Sequence, residues 1–204
     1  MEELIEYILR NMDPEDGMEG SADESELRYL TALVESRKAK KIGEIGFNSG
    51  ISSYAFLEAN PETRVISFDI GDHSYVKYAK EYIDKKFPGR HTLILGNSNE
   101  TVPKFAAEHP GYRFDLIFID GSHEYETARR DLINMQRLAS PKTALVMDDL
   151  TPWLEWGLGP TQAWTEAIRD GLVAQEELVK DGRLVAKIAP PGQRSWALAH
   201  YTKR

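Results

Sequence analysis

Two acidic motifs in the middle of the chain carry side chains suited to metal and proton chemistry. Asp120-Gly-Ser-His123 and Asp148-Asp149 each directly follow a run of four apolar residues. If these runs are neighbouring parallel strands, their ends lie about 5 Å apart and the three carboxylates converge. Converging carboxylates repel one another and bind a hard divalent cation, Mg²⁺ above all, with Mn²⁺ or Ca²⁺ as substitutes. Asp120, Asp148 and Asp149 are therefore predicted metal ligands.

His123 follows Asp120 by three residues, at the start of a predicted helix. Imidazole is the side chain that exchanges protons near neutral pH, which is what a general base requires. We therefore predict that His123 and Asp120 are catalytic residues. Two alternatives remain: His123 as a hydrogen-bonding residue at a helix start, and Asp149 or Thr151 as the cap of a following helix.

A turn containing glycine follows the first apolar segment, with the sequence Glu44-Ile-Gly46-Phe-Asn-Ser-Gly50. Gly46 permits a tight turn, and Gly50 lets the backbone approach a ligand closely. In open parallel sheets, ligands bind beyond the carboxyl ends of the strands. The spacing differs from the G-x-G-x-x-G of dinucleotide-binding proteins. The acidic Glu44 also favours a cofactor with an amino group and a positive charge over a pyrophosphate.

Two later strand ends extend this predicted cofactor site. Asp69 ends the second strand, where a carboxylate accepts hydrogen bonds from ribose hydroxyls, and Asn97 and Ser98 follow the third, beside a predicted adenine. The predicted cofactor-binding residues are Glu44, Gly46, Phe47, Asn48, Ser49, Gly50, Ser52, Asp69, Asn97, Ser98 and Asp120. The alternative is that the glycines serve only the turn.

Strand and helix patterns alternate from Lys41 onward, after two amphipathic helices, the second starting at a capping box at Ser21–Glu24. The predicted strands are Lys41–Phe47, Arg64–Ile70, Thr92–Leu95, Asp115–Asp120 and Thr143–Asp148. The predicted helices between them are Ser52–Ala59, Tyr75–Phe87, Glu100–His109 and Glu124–Leu138. Later elements are a helix from Thr151-Pro152, another from Thr161 to Gly171, and a closing hairpin of Glu177–Ala189 and Ser195–Thr202. Alternating strands and helices predict an α/β three-layer sandwich with a mainly parallel sheet.

Composition narrows the function classes. The 204 residues include no cysteine, which excludes disulfides, thiolate zinc sites and a cysteine nucleophile. The net charge of −8 disfavours a nucleic-acid partner. The longest apolar runs fall far short of the roughly 20 residues of a membrane span. The acidic N-terminus does not have the pattern of a signal peptide, so we expect a soluble, cytoplasmic protein without a membrane partner.

The glycine motif with Asp69 resembles motif I and its acidic partner in class I S-adenosylmethionine-dependent methyltransferases. The resemblance covers roughly Lys41 to Asp149, and Asn48 stands where glycine is commoner. It implies a Rossmann-like three-layer sandwich with a mainly parallel seven-stranded sheet, a C-terminal antiparallel hairpin and two extra N-terminal helices. It divides the chain into N-terminal helices at 1–40 and a class I methyltransferase domain at 41–204.

The segment Asp120-Gly-Ser-His123-x-Tyr125, followed by a helix and Asp148-Asp149, resembles a metal-dependent O-methyltransferase branch that includes macrolide-sugar and other natural-product enzymes. It is more distantly similar to catechol and caffeoyl-coenzyme A O-methyltransferases. In those relatives the positions of the three aspartates hold a divalent metal, and in the sugar-methylating ones the position of His123 is a proposed general base. Catechol-type enzymes usually carry Asp-Asn at the last pair, whereas this chain carries Asp-Asp.

The resemblance implies an S-adenosylmethionine-dependent O-methyltransferase that uses Mg²⁺ and acts on a hydroxyl of a small molecule. The alternatives are a metal-independent methyltransferase for another acceptor and a non-catalytic S-adenosylmethionine-binding protein; a nicotinamide-dependent dehydrogenase is the least favoured. Trp153 and Trp156 either wall an acceptor pocket or serve packing. The N-terminal helices either cover the acceptor site or form a homo-oligomer contact.

Overall fold

The fold is built around one eight-stranded sheet. The computed structural model describes residues 1–18 and 22–202. Its strands are β1 (Lys41–Ile45), β2 (Arg64–Asp69), β3 (His91–Leu95), β4 (Leu116–Ile119), β5 (Ala144–Met147), β6 (Val173–Lys180), β7 (Arg183–Leu184) and β8 (Ser195–Tyr201). Their order across the sheet is β3-β2-β1-β4-β5-β8-β6-β7, with β1 to β5 parallel and β6 to β8 antiparallel.

The helices cover both faces of this sheet. They are α1 (Glu2–Asn11), α2 (Glu24–Arg37), α3 (Ile51–Ala59), α4 (Val76–Lys86), α5 (Ser98–Glu108), α6 (Tyr125–Met135) and α7 (Glu155–Arg169). One hydrophobic core joins α1 to α4 with one face of the sheet, and a second joins α5 to α7 with the other. The three-layer sandwich with a C-terminal antiparallel hairpin is thereby confirmed. Among the described residues no helix is both long and apolar enough to cross a membrane.

The central strands end at one level, which brings the residues that follow them together. All four residues of β4 and all four of β5 are buried, as expected for parallel strands covered on both faces. In the register, Ile45 of β1 pairs with Ile119 of β4, and Ile119 pairs with Met147 of β5. The residues that follow, Gly46, Asp120 and Asp148, therefore leave the same edge of the sheet.

The sheet has one strand more than the seven predicted. The predicted strand Glu177–Ala189 is interrupted because Asp181 and Gly182 both adopt positive φ (47° and 75°). An Asp-Gly pair in this conformation reverses the chain in a tight hairpin. The short strand β7 is therefore paired back onto β6, and residues 185–194 form a loop instead of extending the strand.

Two helix starts also differ from the prediction. Thr151-Pro152 does not start a helix: residues 152–154 turn, and one continuous helix, α7, replaces the two predicted. Pro160 lies inside α7, where the burial of Ala163 and Trp164 offsets the missing hydrogen bond. The cap of α2 is Asp23, whose side chain accepts from the Glu26 N–H, whereas the predicted capping residue Ser21 lies outside the described residues.

Candidate active site

A cavity of about 650 Å³ opens at the carboxyl ends of the central strands. It lies where the strand order switches between β1 and β4, the position at which open α/β sheets bind ligands. Its lining includes eight predicted site residues: Gly46, Phe47, Asn48, Ser49, Ser52, Asp120, His123 and Asp149. It also includes Ala22, Ile51, Gly121, Trp156, Gln193 and Arg194. The two predicted sites, for cofactor and for metal, thus share one cavity.

The three predicted metal ligands converge. Asp120, Asp148 and Asp149 each offer a carboxylate oxygen, and these oxygens lie within 4.8 Å of one another. Successive strand residues would point to opposite faces, but β5 has ended and Asp149 has a left-handed φ of 60°. This turn brings both aspartates to one side. Burial raises the pKa of Asp120 and of Asp148, and neighbouring carboxylates raise both further.

The donor set of this cluster fits a hard divalent cation. All three groups offer carboxylate oxygens, the ligands that Mg²⁺, Mn²⁺ and Ca²⁺ prefer. Both carboxylate oxygens of Asp148 are buried and accept no hydrogen bond from a described residue. A buried charge without a partner is costly, and a bound cation is the partner that such a carboxylate lacks.

His123 stands at the edge of the acidic cluster. Its Nε2 lies 3.0 Å from Oδ2 of Asp149, and its side chain remains 52% exposed on the cavity side. The helix α7 packs directly against the backbone of this segment at Gly159. A Cβ on Gly159 would lie only 2.2 Å from the His123 carbonyl oxygen. His123 is thus oriented by Asp149 and open to a molecule in the cavity. The capping alternative for Asp149 is excluded, since α7 begins only at Glu155 and has no side-chain cap.

The glycine turn is held by Asp69. Oδ2 of Asp69 accepts the N–H groups of Phe47 (2.7 Å) and Asn48 (2.9 Å), and Oδ1 accepts that of Gly71 (2.7 Å). Asp69 does not line the 650 Å³ cavity itself. In this structure the Asp69 carboxylate fixes the backbone of Phe47 and Asn48, and these two residues do line the cavity.

Gly46 brings the turn into direct contact with the strand that carries Asp120. Its φ is +89°, and a Cβ there would lie 1.8 Å from the Asp120 carbonyl oxygen. We expect Gly46→Ala to lower the free energy of unfolding by about 2–5 kcal/mol, from backbone strain and steric overlap. Gly89→Ala is the matched control, because Gly89 has a φ of +69° and nothing within 4 Å of its Cβ position. The control should lose only about 1–2 kcal/mol. Equal losses in denaturant unfolding would contradict the predicted contact.

Glu44 lies beneath the turn, outside the cavity lining. It is fully buried, and the hydroxyls of Ser52, Ser53 and Ser67 donate to its carboxylate. Burial raises the pKa of Glu44 to about 7. His91 Nε2 lies 2.9 Å from the Ser67 hydroxyl oxygen, and burial lowers the pKa of His91 to about 3. Of this network only Ser52 reaches the cavity.

Three other predicted cofactor residues also lie outside the cavity lining. Gly50 starts α3 with a left-handed φ of 73°. Asn97 caps α5, its side chain accepting the Asn99 N–H at 2.9 Å, and Ser98 is the first residue of that helix.

A loop beyond the predicted motifs completes the cavity. Gln193 and Arg194 line it, and their backbone N–H groups donate to Oδ1 of Asp181 at 3.1 and 3.2 Å. Trp153 donates from Nε1 to the Gly192 carbonyl oxygen at 2.9 Å. Arg194 places a positive charge near the acidic cluster and acts to lower the pKa of Asp120 against the larger effect of burial. Nothing in the local sequence around Arg194 indicates this placement.

Glu26 of α2 is a fourth acid at this site that sequence reasoning missed. Its side chain is fully buried, and burial raises its pKa above the usual range of a glutamate. The charges of Asp120 and Asp149 raise the pKa further, while Arg194 acts to lower it. The spacing of α2 gives no signal for this role, because Glu26 falls among other acidic residues in the first turn.

Comparison with known proteins agrees with the fold. The family model Methyltransf_24, a methyltransferase domain, matches residues 44–150, just over half of the chain. The O-methyltransferase hkm8 of Aspergillus hancockii is 27% identical over 157 residues, which make up 75% of this chain and 59% of that protein. The chain thus spans about three-fifths of the length of this curated relative.

Two solved structures share the fold. The O-methyltransferase from Bacillus cereus, in complex with SAH, has a TM-score of 0.75 at 16% identity, covering 98% of this chain and 90% of that one. The O-methyltransferase TomG from Streptomyces achromogenes, involved in tomaymycin synthesis and solved with SAM, has a TM-score of 0.74 at 19% identity, covering 100% and 91%.

Proposed function

Because the chain belongs to the Methyltransf_24 family of methyltransferase domains, we propose that it transfers a methyl group from S-adenosylmethionine to a hydroxyl of a small molecule. The observation that carries this proposal is the convergence of three aspartates beside the cavity at the glycine turn, where Asp120, Asp149 and His123 form part of the lining. A non-catalytic cofactor-binding protein would need the turn and Asp69 but not this cluster.

The cofactor is assigned to the half of the cavity formed by the glycine turn. Gly46 to Ser49 and Ser52 line this half, and Asp69 holds the turn by its backbone. S-adenosylmethionine supplies an electrophilic sulfonium methyl group. The Ser52 hydroxyl donates to Glu44, so its oxygen lone pairs are left to accept from a bound ammonium group.

The acceptor is assigned to the half formed by His123, Trp156 and Arg194. A divalent cation held by Asp120, Asp148 and Asp149 would supply positive charge that makes a nearby hydroxyl easier to deprotonate. The His123 Nδ1 takes the hydroxyl proton, while Nε2–H donates to Asp149, which stabilises the imidazolium that forms. The hydroxyl oxygen then bonds to the methyl carbon as the carbon–sulfur bond breaks and the electron pair stays on sulfur. Holding both reactants at attack distance supplies much of the acceleration.

The N-terminal helices are proposed to cover the acceptor half. Ala22, two residues before α2, lines the cavity, and α2 itself packs against α3. The charge of −8 makes a nucleic-acid acceptor unfavourable. We therefore propose a small-molecule acceptor. We also propose that the protein lies in the cytoplasm.

Cofactor binding is tested by replacing Asp69. We expect Asp69→Ala to weaken S-adenosylmethionine binding about 10–100-fold in calorimetric titration, because the turn loses charged hydrogen bonds worth about 1.5–3 kcal/mol. Asp72→Ala, at an exposed acid three residues later, is the control and should bind normally. Unchanged affinity in Asp69→Ala would contradict the assignment of the cofactor to this turn.

The activity is tested by mass spectrometry of a panel of sugars, catechols and polyketides incubated with the protein, S-adenosylmethionine and Mg²⁺. At least one hydroxyl compound should gain a methyl group while S-adenosylhomocysteine accumulates. Cofactor binding without transfer to any compound would favour the non-catalytic alternative.

A further inference from the structure

His91 is a buried histidine that takes no part in the proposed methyl transfer. It is the first residue of β3, is only 6% exposed and does not line the 650 Å³ cavity. Burial lowers the pKa of His91 to about 3, so the ring is neutral and has a single N–H group. A neutral buried imidazole acts through packing and hydrogen bonding, and His91 does both toward residues that line the cavity.

The first contact of His91 is a ring stack on the glycine turn. Its ring lies against that of Phe47, with 4.9 Å between the ring centroids and 28° between the ring planes. Phe47 lines the cavity, and its backbone N–H donates to Asp69. The turn is thus held twice, by Asp69 through the backbone and by His91 through an aromatic side chain.

The second contact is a chain of hydrogen bonds that ends at Ser52. Nε2 of His91 lies 2.9 Å from the Ser67 hydroxyl oxygen and 3.3 Å from that of Ser53. Both hydroxyls donate to one carboxylate oxygen of Glu44, and Ser52 donates to the other. Because the Ser67 proton is directed at Glu44, the Ser67 oxygen accepts from His91, and Nε2 is the ring atom that carries the proton. His91 is thereby linked to a residue that lines the cavity.

We propose that His91 is a positioning residue for the cofactor: its Nε2–H orients the hydroxyls around Glu44, and thereby the Ser52 hydroxyl that accepts from the ammonium group of S-adenosylmethionine. This inference rests on the proposed function, because it takes the glycine-turn half of the cavity as the cofactor site. Burial raises the pKa of Glu44 to about 7, and the serine hydroxyls act to lower it, so they favour a negative charge behind Ser52. Hydrogen bonds in such a chain strengthen one another.

The test compares two ligands that differ only at the amino-acid end. S-adenosylhomocysteine has the ammonium group, and 5′-methylthioadenosine is the same adenosine thioether with a methyl group in place of that end. Calorimetric titration of the full chain with each ligand gives the ratio of the two dissociation constants. A general loss of structure weakens both ligands together and leaves this ratio unchanged, whereas a loss at the ammonium group changes it.

The variants separate the N–H donor of His91 from its ring. His91→Phe keeps a ring against Phe47 but has no donor, and it should lower the preference for S-adenosylhomocysteine about 3–10-fold, the effect of one hydrogen bond. His91→Gln loses the ring but keeps an N–H donor, and it should retain the parental ratio even if both affinities fall. His109→Phe is the matched control, because His109 also stacks on a phenylalanine, Phe105, with 4.2 Å between the centroids, but lies outside the cavity lining. It should bind both ligands like the parent.

Three results would overturn the inference. A parental ratio in His91→Phe would show that the amino-acid end does not depend on the His91 donor. Equal changes of the ratio in His91→Phe and His91→Gln would show that the donor is not what matters. Both of these results would leave the proposed function intact. A parent that binds neither ligand would remove the cofactor site itself, and with it the proposed function.

Discussion

Removal of divalent cations by a chelator is expected to lower methyl transfer by at least about 10²-fold, and added Mg²⁺ should restore it. The physical reason is that a cation held by Asp120, Asp148 and Asp149 would lie beside the acceptor half of the cavity and stabilise the negative charge that develops on the acceptor oxygen. Without a cation this stabilisation is lost. S-adenosylmethionine affinity, measured by calorimetry under the same conditions, should change little.

The variant Asp148→Asn tests the same dependence on a cation by weakening the cation site through mutation. Asp148 does not line the cavity, so its replacement should spare the cofactor while removing a charged ligand. The variant should need more Mg²⁺ for half-maximal activity than the parent. Full activity of the parent in chelator would contradict the metal mechanism, and the aspartates would then be acceptor-positioning groups.

Replacing His123 is expected to have an effect of similar size on turnover. His123→Ala should reduce kcat by about 10²–10⁴-fold, the usual contribution of a positioned general base. Mn²⁺ and S-adenosylmethionine should still bind, because His123 stands at the edge of the cluster and contacts it only through Asp149. Rapid-quench single-turnover kinetics measure the chemical step directly.

A second histidine–carboxylate pair on the surface supplies the control for this variant. His200 Nδ1 lies 2.8 Å from Oε1 of Glu176, a pair that resembles that of His123 and Asp149 but lies outside the cavity lining. His200→Ala should therefore turn over like the parent. If His123→Ala also kept the parental kcat, the acceptor proton would have to leave by another route.

Much of the fold could be predicted because its signals are local. The strands β4 and β5 are short apolar runs whose full burial requires helices on both faces, β1 is buried from Ile42 to Ile45, and the helical periodicity between the strands supplies those helices. Their ends were predicted up to two residues too long. The glycine and acidic residues that follow these strands belong to the turns at the site, because the hydrogen bonds between neighbouring strands end before them.

The errors arose where tertiary contacts override local preference. Pro152 has the residue type of a first helical turn, yet Leu150 donates its N–H to the Ser195 carbonyl oxygen of β8 at 2.7 Å and ties this segment to the sheet. The helix therefore starts later, at Glu155. The Asp181-Gly182 hairpin, in contrast, did carry a local signal that the prediction did not use.

The residues of the candidate site also differ in whether the local sequence predicts their placement. Asp120, Asp148 and Asp149 were predictable as neighbours because Asp120 and the pair Asp148-Asp149 directly follow strands whose register brings them together. Glu26 and Arg194 reach the cavity region from an N-terminal helix and a C-terminal loop. Their placement depends on how α2 and residues 190–194 pack, which no spacing within either segment encodes.

The left-handed backbone at Asp149 limits which amino acids fit there. Apart from glycine, a φ near 60° is populated mainly by asparagine and aspartate. Glutamate would keep the charge but add about 1–2 kcal/mol of strain, and glycine would relieve strain but supply no oxygen. Two residue types are left that satisfy both the turn and the cation. The Asp-Asp of this chain is one of these two solutions and Asp-Asn is the other, and they differ by one negative charge.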